Sequence, residues 1–154
     1  MCLFSNTEKM TRADEKITTF KRVMIMIHKG KVSFLTPYQL TPIPIDVILG
    51  KKDFKAYGNK EISKGTLDRL YTIHGGFIHT YAFCRDAMEN ADLDCQAMGN
   101  DIEEVIIECE IPKGTFYIKG RDGYGNIGFA ARKVRFTPSE NGLIQELLQK
   151  YEHD

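Results

Sequence analysis

The sequence lacks most of the features that announce a function. It has no apolar run long enough for a signal peptide: the stretch from Met1 to Glu15 carries Glu8, Lys9, Arg12, Asp14 and Glu15. The longest apolar stretch, Val23 to Ile27, is too short to span a bilayer. A cytoplasmic protein with no membrane partner is therefore expected. Charge of either sign is not in excess, since 21 Lys and Arg balance 21 Asp and Glu. That balance excludes a general nucleic-acid binder, which needs a cationic surplus. The four cysteines, Cys2, Cys84, Cys95 and Cys109, form no Cys-x-x-Cys and read as small buried hydrophobes rather than a disulfide framework. No Walker loop, Gly-x-Ser-x-Gly or His-Glu-x-x-His occurs. The histidines lack partners at metal-ligand spacing, so no metal site is expected.

What is present fits one domain over residues 1–154, with residues 1–15 loosely attached. The chain is 42% hydrophobic and 27% charged, enough for one core. Ile17 to Ile27 is β-branched and apolar, suiting a central strand buried on both faces in its second half. Lys29-Gly30-Lys31 marks a turn, and Lys31 to Leu35 returns as a hairpin partner. Pro37, Pro42 and Pro44 make an extended or edge segment. Asp46 to Leu70 reads as loop with one short strand or helical turn. A short strand from about Gly76 leads into a helix, where Phe83, Cys84, Ala87, Met88 and Ala91 line one face. Thr115 to Lys119 and Phe129 to Phe136 read as strands. A terminal helix follows from about Asn141, with Leu143, Ile144, Leu147, Leu148 and Tyr151 in register. The expected class is α+β: mostly antiparallel strands in one or two sheets, covered by two amphipathic helices.

Two features bear on chemistry. Gly123-Tyr-Gly125-Asn-Ile-Gly128 has dinucleotide-loop spacing, but a strand pattern follows it where a helix would be needed. A hairpin loop is the better reading. The strand Glu104 to Ile111 alternates: Val105, Ile107, Cys109 and Ile111 on one face, and Glu104, Glu108 and Glu110 on the other. Those glutamates suit a solvated face or a cleft lined by carboxylate.

Two resemblances follow from these segments. Met1-Cys2-Leu3, Gly76-Phe-Ile-His79-Thr-Tyr81 and Val105-Ile-Ile-Glu108-Cys-Glu-Ile-Pro-Lys-Gly114-Thr resemble small uncharacterised proteins of phages and mobile elements of gut-type bacteria. That resemblance implies a mobile-element context and little chemistry. Because the sequence holds no complete catalytic set, a cytoplasmic accessory or interaction protein with an unknown protein partner, no catalysis and no cofactor is expected. The glutamate strand, with Glu108 six residues before Gly114, also resembles the last catalytic segment of ADP-ribosyltransferases. That alternative implies an NAD-binding enzyme or its inactive relative. Glu108 would stabilise an oxocarbenium-like ribose, Arg22 would hold the pyrophosphate, and His79 and Tyr81 would form the strand-to-helix junction. Ile106 stands where that family has the first glutamate of its pair. The aromatic residues could also supply a homo-oligomer interface, with Thr115 to Lys119 as a candidate edge strand.

Overall fold

The computed structural model describes residues 3–29, 31–35, 42–50, 53, 61–65, 69–73, 77–89, 102–137 and 149. Among the described residues, twelve strands form one antiparallel sheet. They are β1 (Leu3–Ser5), β2 (Thr11–Arg12), β3 (Ile17–His28), β4 (Lys31–Leu35), β5 (Ile48–Gly50) and β6 (Ile62–Lys64). The others are β7 (Tyr71–Ile73), β8 (Ile78–Tyr81), β9 (Ile102–Ile111), β10 (Phe116–Arg121), β11 (Ile127–Ala131) and β12 (Lys133–Phe136). The helix α1 (Cys84–Glu89) lies between β8 and β9 in the chain. The strand order is β5-β12-β9-β3-β8-β11-β10-β1-β7-β6, with β4 also on β3 and β2 also on β10.

This corrects the α+β expectation. Strands make up 59% of the described residues and helix 6%. The helical period beginning at Phe83 is realised only over α1, and Ala91 lies outside the described residues. The terminal helix expected from Asn141 also lies outside them, apart from Gln149, which is helical. Each face of the sheet carries a core among the described residues, and α1 packs against β3, β8 and β9. Cross-strand register sets Val23, Ile25, Ile107, Cys109, Val134 and Phe136 on one face, where they form the larger core. Leu3, Ile73, Ile118 and Ala130 form a second core on the opposite face.

Strand β3 is central, as its composition suggests: Val23, Met24 and Ile25 are all buried. One edge pairs with β9 along ten residues, from Ile17↔Ile111 to Met26↔Ile102. The other edge is shared. It meets β8 at Phe20↔Tyr81 and β4 from Met24 onward, so the sheet forks between those points. The single strand expected over Phe129 to Phe136 bends at Arg132 and changes partners. Its first half pairs with β10 and β8, and its second with β9 and β5. Arg132 holds the bend: its N–H donates to Phe116 O at 3.0 Å, its guanidinium lies 4.1 Å from the Phe77 ring centre, and it pairs with Glu61 at 2.8 Å.

Residues 3–5 are not peripheral. They lie between β10 and β7, with Leu3 fully buried. The expected edge strand at Thr115 to Lys119 is interior: β10 has β11 on one side and β1 and β2 on the other. No helix among the described residues is long and apolar enough to cross a membrane.

Candidate functional site

The sheet brings the four candidate residues to one face of three adjacent strands. Phe20 pairs with Glu108 on β9 and with Tyr81 on β8. Paired residues of an antiparallel ladder project to the same side, and so do residues two apart. Arg22 and His79 therefore share the face of Glu108 and Tyr81. Arg22, His79 and Glu108 are half-buried, and Tyr81 is buried.

Two groups on that face are engaged structurally. The row continues from Tyr81 to Gly128 and then Gly120, positions without side chains. The Tyr81 side chain crosses β11 there and donates its hydroxyl to Asp122 Oδ2 at 3.0 Å. Glu110 pairs with Arg135 at 3.1 Å and Lys16 at 3.4 Å, and its side chain is 18% exposed. For Glu104 the structure gives the strand position only.

The opposite face carries a residue that sequence reasoning missed. Lys21 pairs with Ile107, on the face of the larger core, and donates its Nζ to the His79 carbonyl at 2.8 Å. That carbonyl lies at the fork, where β8 has parted from β3, and the lysine supplies the donor that a strand otherwise would. Burial lowers the Lys21 pKa, and the neighbouring Arg22 charge adds to it. The unfolded chain then binds more protons between that lowered value and about 10.4, so stability should rise with pH across that window. Lys21→Met should abolish that rise: it removes the penalty of the buried charge near neutrality and leaves the His79 carbonyl without the lysine donor at every pH. Urea denaturation at pH 7 and 9.5 reads both effects.

Cysteine chemistry divides cleanly. Cys109 is buried in the larger core, and burial pushes its thiol up, away from the reactive thiolate. Cys84 is exposed at the start of α1. Iodoacetamide should therefore alkylate Cys84 in the native protein and Cys109 only after unfolding, as peptide mass mapping would show. Cys2 and Cys95 lie outside the described residues. No group of three or more His, Cys, Asp or Glu among the described residues could hold a metal ion.

A different constellation lies at the far end of β10. The Gly-x-Gly-x-x-Gly run is the β10–β11 hairpin loop, closed by Arg121↔Ile127. Asp122 organises it. Its Oδ1 accepts the N–H groups of Tyr124 and Asn126, each at 2.9 Å, and its Oδ2 accepts the Tyr81 hydroxyl and Asn126 Nδ2. Arg121 donates to Gly125 O at 2.8 Å, and Gly125 takes φ +86°. Tyr124 is left 86% exposed at the tip.

Beside the loop runs an open groove of about 680 Å³. Phe4 pairs with Arg121, which pairs with Ile127, and Lys119 is two residues on. All four share a face. Phe4, Ile127 and Leu70 give a half-buried apolar floor, and Lys119 and Arg121 are exposed above it. The one acidic lining residue, Asp122, has its carboxylate turned to the internal donors. None of Arg22, His79, Tyr81 and Glu108 lines this groove.

The chain matches no family model, no curated protein and no solved structure. The groove was hidden in the sequence because Phe4 and Arg121 meet only through strand pairing. The one local signal was an aromatic residue set between loop glycines.

Proposed function

We propose that this is an accessory protein, of phage or mobile-element type, that binds a partner protein and carries out no catalysis. The hairpin end of the sheet is its contact surface. The supporting observation is the anchored loop that holds Tyr124 out beside an apolar groove. A loop whose backbone is anchored before contact loses little further backbone entropy on binding. The catalytic alternative is weakened because the Tyr81 hydroxyl is engaged within the fold.

A photo-crosslinking residue at position 124 tests the reading, with the exposed Lys133 position as reference. A protein adduct from position 124 alone is expected. The complex rebuilt from purified components should weaken about tenfold in Tyr124→Ala, a loss of about 1.4 kcal/mol. No adduct, or equal adducts from both positions, would contradict it.

A second reading is favoured by one observation: Glu108, Arg22, His79 and Tyr81 share a face of β9, β3 and β8. On that reading the face holds NAD and Glu108 faces the ribose. Calorimetric titration with NAD, alongside Glu108→Gln for turnover, tests it. The absence of binding at millimolar NAD ends it.

A further inference from the structure

We infer that the groove beside the β10–β11 hairpin takes an acidic peptide segment carrying an apolar side chain, supplied by the partner protein. The inference rests on the hairpin end being the contact surface, and adds the chemistry of what is bound there. The argument is charge complementarity over an apolar floor. The chain as a whole is neutral, but this surface is not. Lys119 and Arg121 stand exposed on it, and no carboxylate pairs with either among the described residues. Asp122 carries one negative charge in the same lining, so two cations stand against one anion, and the Asp122 oxygens are occupied by Tyr81, Tyr124 and Asn126 rather than by Lys119 or Arg121.

The floor selects further. Phe4, Leu70 and Ile127 present half-buried apolar surface below the two cations. A carboxylate alone would leave that floor wet, whereas a leucine or phenylalanine beside the carboxylate would cover it. Tyr124 adds exposed aromatic surface on the adjoining loop, its backbone amide held by Asp122. Single-stranded nucleic acid also combines stacking with charge, but it tracks a continuous basic groove. Two cations in a neutral chain do not make one.

The probe is a fluorescein-labelled hexapeptide alternating glutamate with leucine. Its controls are the glutamine–leucine counterpart and an oligothymidylate. Anisotropy gives affinity, and amide shifts in a ¹H–¹⁵N spectrum give location. The acidic peptide is expected to bind, with shifts at Lys119, Arg121, Tyr124 and Ile127. Its affinity should fall about tenfold in Lys119→Gln and again at high salt. Lys119 is exposed, so this variant should keep the remaining spectrum unchanged and report binding alone. Equal binding of the glutamine peptide, tighter binding of the oligonucleotide, shifts elsewhere or no binding would each overturn the inference. The failures separate: an adduct at position 124 without acidic selectivity rejects only the ligand chemistry, and no adduct rejects the surface itself.

Discussion

Asp122→Ala should destabilise the protein by about 3 kcal/mol and release the hairpin tip. The Asp122 side chain accepts four hydrogen bonds, and the residue is only 8% exposed. Truncation leaves the buried Tyr81 hydroxyl without its acceptor, which alone costs about 1–3 kcal/mol. The Tyr124 and Asn126 amides also lose the oxygen that shapes the turn. Asp122→Asn keeps the shape and removes the charge, so it should cost less. The two substitutions also differ in pH response. Burial by itself raises the Asp122 pKa, but the donors from Asn126, Tyr81 and Tyr124 outweigh it and hold the carboxyl below its ordinary value. The wild-type advantage over Asp122→Asn is therefore present above about pH 4 and is lost as pH falls through the lowered value. Denaturation curves at pH 7 and pH 3 measure it. An advantage unchanged at low pH would contradict this account of the loop.

Gly120→Ala should cost about 3 kcal/mol, a large effect for one added carbon. A Cβ at Gly120 would stand 2.4 Å from the Phe4 carbonyl oxygen and 3.0 Å from Leu3 Cγ. Neither neighbour can move freely: Leu3 is fully buried, and Phe4 is paired to both β10 and β7. Overpacking of this kind typically costs 1–3 kcal/mol, and backbone displaced at the centre of β1 puts the change at the upper end. Gly123→Ala is the control, because a Cβ there meets nothing within 4 Å. Chemical denaturation of both variants decides the point. Equal stabilities would mean that β1 does not press on β10 as described.

The parts of the fold legible in the sequence were those fixed by local period. The alternation of Val105, Ile107, Cys109 and Ile111 against Glu108 and Glu110 survives in β9, and its apolar members line the larger core. The β3–β4 hairpin was legible from Lys29 and its flanking strands. Helical periodicity overstates the helical content: the pattern at Phe83 to Met88 is realised in one short helix, packed against a sheet that makes up most of the described residues. The bend at Arg132 could not be read, since it depends on Phe77, Glu61 and Phe116 arriving from elsewhere. Lys21 is similar: a lysine in a core strand makes sense only once β3 and β8 are seen to part. The candidate residues lie on strands whose adjacency the sequence does not specify. Their common face became visible only from the pairings of Phe20.

The account depends most on the hairpin tip being fixed before any partner arrives. Amide hydrogen exchange at Tyr124 and Asn126, both bonded to Asp122 Oδ1, measures that directly. Protection at both amides is expected in the free protein, and its loss in Asp122→Ala. Exchange at unprotected rates in the wild type would contradict the account.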